Sequence, residues 1–158
     1  MDRDKRLKIE VECGKLPLLF AKFADIGDAK AIGQLFTEDC LFARPFQPDH
    51  PFHGRAAVEG VFLNRPPILV RHIVTNVLVE VIDKKHARGT NYLTMLSCHS
   101  STEPPQEAGA LYVGGFEDEY SKTDDGWKFA SRKGTIALHM GGKMPDLPPP
   151  SDEARGLK

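Results

Sequence analysis

The chain has 158 residues, 41% of them hydrophobic and 27% charged, with a formal net charge of -1. That balance fits one folded domain, long enough to bury about two thirds of the surface of its unfolded chain, and excludes a disordered polymer. No Lys/Arg cluster and no apolar run of ~20 residues occurs, so neither nucleic acid nor a membrane is an expected partner. The charged start, Met1 to Lys8, leads into no apolar signal region. Cys13, Cys40 and Cys98 are odd in number and lack metal-ligand spacing, so they read as reduced thiols of a cytoplasmic protein.

Leu16, Leu19, Phe20 and Phe23 share one helical face. Pro17 either begins that helix or kinks it. Asp25-Ile26-Gly27-Asp28 ends it, with Gly27 suited to a left-handed cap and Asp28 to capping the next helix. The second helix carries Ile32, Leu35 and Phe36 inward. Thr37-Glu38-Asp39 reads as a turn, Cys40 to Phe46 as a first strand, and Pro45, Pro48 and Pro51 as marks of a loop. A short helix after Gly54 presents Ala57, Val58, Val61 and Phe62 and stops before Arg65-Pro66-Pro67.

Long strands follow. In the run Arg71 to Val81, Val77, Val79 and Val81 alternate with Asn76, Leu78 and Glu80, the period of a half-buried strand. Ile68 to Asp83 pairs with His86 to Cys98 across Asp83-Lys84-Lys85. Ala110 to Lys122 pairs with Trp127 to Leu138 across Thr123-Asp124-Asp125-Gly126. Between the hairpins, Ser100 to Gly109 is a polar loop. Helices first and an antiparallel sheet after define an α+β domain over residues 1–141, followed by an irregular Pro-rich tail over 142–158.

The motifs for metal, nucleotide and nucleophile chemistry are missing from this sequence. His50 and His53 stand three apart in a Pro-rich loop, without a helix to fix their geometry. Gly114-Gly115 is isolated, and no Gly-x-x-x-x-Gly-Lys or Gly-x-Ser-x-Gly occurs. Cys98 and His99 are neighbours on a strand end and point to opposite faces. Acid–base chemistry remains. His72 is either an ordinary strand histidine or, if enclosed, the best proton acceptor, because an imidazole titrates near neutrality. Asp25 is either a solvated acid at a helix end or a carboxylate tucked under the sheet.

Asp25-Ile26-Gly27-Asp28, Leu35-Phe36-Thr37-Glu38-Asp39, Phe52-His53-Gly54-Arg55-Ala56-Ala57-Val58, Arg71-His72-Ile73-Val74-Thr75-Asn76-Val77 and Asp125-Gly126-Trp127-Lys128-Phe129, with Arg132, stand in a telling order. Together they resemble the SnoaL-like branch of the nuclear-transport-factor-2-like superfamily over roughly Lys8 to Leu138. The resemblance implies a cystatin-like α+β barrel, a cone-shaped, mainly antiparallel sheet around an apolar cavity closed by the amino-terminal helices. Similar proteins include scytalone dehydratase, bile-acid dehydratase and a dehydrochlorinase, cofactor-free lyases that use an Asp–His pair. Asp25 matches the aspartate that ends the first helix, and His72 the histidine that opens the long central strand.

Two features depart from those relatives. Phe20 stands where the dehydratases carry a tyrosine, and Met95 lies near the position of an additional acid in bile-acid dehydratase. The resemblance thus implies a metal-free, cofactor-free dehydratase-type lyase or isomerase with Asp25 and His72 as catalytic residues. Its substrate would be a small hydrophobic polycyclic, aromatic or terpenoid-like molecule. Phe20, Phe23, Phe42, Arg44, Val74, Asn76, Tyr92, Leu93, Tyr112 and Arg132 are the candidates for contacting it. Arg44 and Arg132 could hold a carboxylate or enolate oxygen, or face solvent as strand arginines. Tyr92 and Tyr112 could serve as acids if their strands present them inward. A homodimer packed through the outer sheet face is expected. Two other readings share the fold: a structural β subunit of a ring-hydroxylating dioxygenase, and a small-ligand binding module.

Overall fold

The first helix starts earlier than its apolar face suggests. A computed structural model, which describes residues 1–141 and 143–157, shows α1 running over Arg3–Ile26, so the charged amino terminus is helical. Asp2 caps it by accepting a hydrogen bond from the Lys5 N–H at 2.9 Å. Pro17 lies inside α1, neither at its start nor at its end. The helix tolerates the missing N–H because that side is packed, with Cys13, Leu16, Pro17, Phe20 and Ala24 all buried. Gly27 takes the expected left-handed conformation (φ 73°) and ends α1. Asp28 caps α2 (Ala29–Gln34), accepting from the Ala31 N–H at 2.9 Å.

The strands are β1 (Phe36–Arg44), β2 (Gln47–His53), β3 (Leu69–Val81), β4 (His86–Cys98), β5 (Ala110–Thr123) and β6 (Gly126–Met140), with α3 (Arg55–Leu63) between β2 and β3. They form one curved sheet in the order β2-β1-β6-β5-β4-β3, antiparallel except where β1 runs parallel to β6. The chain is therefore α+β, and the sheet stays open, with β2 and β3 as its edges. Both long hairpins form as their turns predict.

Two expectations differ. Thr37-Glu38-Asp39 is strand, not turn, because β1 pairs with the distant β6, where Phe36 sits opposite Phe129. The Pro-marked segment is strand β2, not loop. An edge strand bonds on one side only, so Pro48 and Pro51 cost it little. The tail, residues 143–157, has no helix or strand but is docked. Gln47 Nε2 donates to the carbonyls of Leu147 and Pro148, at 3.0 and 2.8 Å. The His53 N–H donates to the Arg155 carbonyl at 2.7 Å, which covers part of the free β2 edge.

β3 changes phase partway along. Its inward residues are Val70, His72 and Val74, then Val77, Val79 and Val81. A bulge between Thr75 and Leu78 makes the switch, with Asn76 held at φ 52°. Asparagine accepts the left-handed region at small cost, and a β-branched residue does not. Asn76→Val should therefore lower unfolding free energy by ~1–2 kcal/mol, and Asn76→Gly should leave it nearly unchanged, as read by urea denaturation.

Candidate active site

The end of α1 meets the edge strand β3. Asp25, in the last turn of α1, places Oδ1 2.6 Å from His72 Nδ1. The same carboxylate accepts the His72 backbone N–H, at 3.1 and 3.3 Å from its two oxygens. On an edge strand that N–H has no further strand to bond. One carboxylate thus caps the strand and orients the ring attached to it. Nδ1–H donates to Asp25, which fixes the tautomer and leaves Nε2 as the acceptor nitrogen. The two side chains are largely covered, 10% and 14% exposed for His72 and Asp25.

His72 lies on the wall of a cavity of about 860 Å³, bordered by α1, α3, the concave sheet face and the tail. Its lining is mainly apolar, with Phe20, Phe42, Phe62, Leu93 and Phe116 among the contributors. Asp25 does not reach this space. It faces a shallower groove on the other side of the ring, beside Lys22 and Arg71. His72 borders both.

Of the residues singled out by sequence, Phe20, Phe42, Arg44, Leu93 and Tyr112 line the cavity with His72. Arg44 donates to the Gln47 side-chain oxygen, while its Nε is buried and has no partner among the described residues. Tyr112 packs edge-on against Phe46. Phe23 packs against the core outside the cavity lining, and Val74 lines the outer groove. Tyr92 is 60% exposed on the convex face, because strand alternation gives the inward place to Leu93. Asn76 is exposed at the bulge.

Arg132 is neither an exposed strand arginine nor a cavity group. It is 1% exposed and bonds Asp118 at 2.6 Å, behind Phe20, Phe116 and Phe129. Burial is the larger influence on both partners. It pushes the Asp118 carboxyl up and the Arg132 guanidinium down, and their mutual attraction opposes both shifts. Asp118 and Arg132 are directly opposite in the β5–β6 register.

Sequence reasoning missed Arg65 and Ser97, which also line the cavity, and the tail residues Leu147 and Pro150, and it marked Met95, another lining residue, only as a departure from the relatives. Arg65 donates to the Ala24 carbonyl at 2.6 Å, bracing the end of α1. The pattern Leu93-x-Met95-x-Ser97 in β4 was the available signal for Ser97. Burial pushes the Cys13 and Cys40 thiols up to about 12 and about 11, which makes them poor nucleophiles. Among the described residues, no three His, Cys, Asp or Glu side chains converge as metal ligands. No helix described is long and apolar enough to cross a membrane.

An open curved sheet, helices over its concave face and an Asp–His contact at the cavity wall describe a small α+β domain built around a ligand-sized space. The family model described as a SnoaL-like domain matches residues 5–133, and the chain belongs to that family. Among solved structures it is similar to a candidate scytalone dehydratase from Novosphingobium aromaticivorans, at 17% identity and TM-score 0.77 over 91% of this chain and 94% of that one. A hexachlorocyclohexane dehydrochlorinase of type 2 is similar at 15% identity and TM-score 0.73, over 94% and 99%. An NTF2-like protein with a cystatin-like fold from Novosphingobium aromaticivorans is similar at 20% identity and TM-score 0.67, over 85% of each chain. At such identities the likeness is one of fold. No curated protein matches the chain.

The double role of the Asp25 carboxylate gives a stability test. Asp25→Ala leaves the β3 N–H and the ring Nδ1–H unpaired and should cost ~1–3 kcal/mol in urea denaturation. Asp25→Asn retains an acceptor for one of them and should cost less.

Proposed function

We propose that this protein is a cofactor-independent lyase or isomerase that removes a proton from a small hydrophobic molecule of polycyclic, aromatic or terpenoid-like shape. The observation that carries the reading is the 2.6 Å Asp25–His72 contact at the wall of a mainly apolar cavity of about 860 Å³. A space of that size suits a drug-sized ligand. A binding module would need the cavity but not a histidine on its wall with a carboxylate behind it. Two of the similar structures, named as a dehydratase and a dehydrochlorinase, are named for eliminations.

Asp25 holds the imidazole by Nδ1, and Nε2 accepts a proton from a carbon next to an electron-withdrawing group such as a carbonyl. The C–H bond breaks, an N–H bond forms, and the electron pair moves onto the carbonyl oxygen. When a leaving group stands on the next carbon, the pair returns and expels it, and the imidazolium proton departs with it. The net loss is then one molecule of acid or water. Without a leaving group, the imidazolium returns its proton to a conjugated carbon and the double bond migrates. Apolar walls keep water from competing for the charges. Arg44, which lines the cavity and has its Nε unpaired among the described residues, is a candidate to hold an oxygen.

The measurement is exchange of acidic C–H for deuterium in D2O, followed by NMR on a panel of apolar ketones such as 2-tetralone. Wild-type protein should accelerate exchange, and His72→Ala should lower the rate by ~10²–10⁴. Equal rates in the two proteins, or no acceleration by either across the panel, would overturn the assignment.

The same reading includes a homodimer. Ile73, Tyr92, Leu138 and Met140 stand exposed on the convex face of the sheet, an apolar surface suited to a second copy. Wild-type protein should sediment as a dimer, and the double variant Tyr92→Glu/Leu138→Glu as a monomer.

A further inference from the structure

Two polar residues are buried on the inner face of β4, Asn91 and Ser97; Asn91 bonds Asp118 in the core, whereas Ser97 lines the cavity. Leu93 and Met95, which line the cavity beside it on that face, are apolar, whereas Ser97 bears a hydroxyl. It is 3% exposed, and its Oγ is buried with no hydrogen-bond partner among the described residues. Buried hydroxyls nearly always have a partner, so an unpaired one on a cavity wall calls for a reason. The packing need does not supply it, since alanine or valine would fill an apolar wall without an unmet bond.

The register says which residues share its face. His72 lies opposite Met95, and Val70 opposite Ser97. Ser97 is therefore the diagonal neighbour of His72 on the same inner face, with Cα atoms roughly 7–8 Å apart in an antiparallel pair. On the far side, Met95 lies opposite Tyr112. His72, Ser97 and Tyr112 thus surround Met95 on one patch of wall. Arg44, the other cavity residue with an unpaired buried atom among the described residues, is on β1, three strands away from β4 in the sheet order.

We propose that Ser97 is the oxygen-binding residue of this site, and that the substrates are carbonyl compounds whose oxygen sits against Ser97 while the adjacent C–H faces His72. The inference rests on the proton-abstraction reading and adds the substrate class to it. Proton removal moves a C–H electron pair onto the carbonyl oxygen, and the Ser97 O–H donates to that oxygen as its charge grows. No proton leaves Ser97. A hydroxyl already desolvated and uncommitted makes a stronger bond there than one shared with protein groups.

Paired probes test this without turnover. Naphthalene and 2-naphthol differ by one hydroxyl, and their intrinsic fluorescence reports binding. The wild-type protein should bind 2-naphthol about tenfold more tightly than naphthalene, the worth of one uncontested hydrogen bond. Ser97→Ala should abolish that preference while leaving naphthalene affinity within twofold, and Ser97→Thr, which keeps the hydroxyl, should retain it. The melting temperature of Ser97→Ala should equal or exceed that of wild type, since the hydroxyl removed has no partner in the fold. A fall in melting temperature, no wild-type preference for 2-naphthol, or a preference that survives Ser97→Ala would overturn the proposal. A preference lost in His72→Ala but kept in Ser97→Ala would assign the oxygen to His72 and overturn it too. Because binding and deuterium exchange are read separately, a Ser97-dependent preference without exchange would sink the proton-abstraction reading and leave the oxygen subsite standing.

Discussion

The contact between Asp25 and His72 ties the two halves of the molecule together. One carboxylate at the end of α1 accepts from both the imidazole and the backbone N–H of the same strand residue. β3 is an edge of the sheet, and an edge exposes unpaired donors. Asp25 satisfies one of them with the group that also sets the ring tautomer. Orientation of the imidazole and docking of the helix end are therefore a single interaction, added to the packing of Cys13, Leu16, Phe20 and Ala24 that lays α1 against the sheet. Arg65, bonded to the Ala24 carbonyl, keeps the helix end in place from the other side.

Local signals were readable from the chain. Gly27 and Asp28 mark the junction of α1 and α2, and Asp83-Lys84-Lys85 and Asp124-Asp125-Gly126 mark the hairpins. Asp25 and His72 were each recognisable as acid–base candidates, but nothing local could bring together residues 47 apart in the chain. Non-local features were hidden for the same reason. β1 becomes a strand by pairing in parallel with β6, and Thr37-Glu38-Asp39 carries no trace of that partner. β2 carries two prolines that argue against a strand except at an edge, and edge position is a property of the whole sheet.

The burial of Arg132 was hidden by a bulge. Paired outward from its turn, the β5–β6 hairpin would set Asp118 opposite Ser131, and a shift in register between Glu119 and Tyr120 sets it opposite Arg132 instead. Phe116, Asp118 and Tyr120 share the inward face, so an inward acid was legible but its partner was not. The docked tail was not legible. Its anchors are backbone carbonyls of Leu147, Pro148 and Arg155, and carbonyls carry no sequence signature.

The bulge at Asn76 divides one strand into two jobs. Val70 and His72 before it border the cavity, whereas Val77, Val79 and Val81 after it turn inward with the opposite parity. The two stretches are decoupled in side-chain direction, so the chamber can be resculpted in the first without disturbing the apolar packing of the second. Descendants of such a chain can change what they accept by drift in a few upstream positions. A strand of uniform pleat would link every such change to the helix it supports.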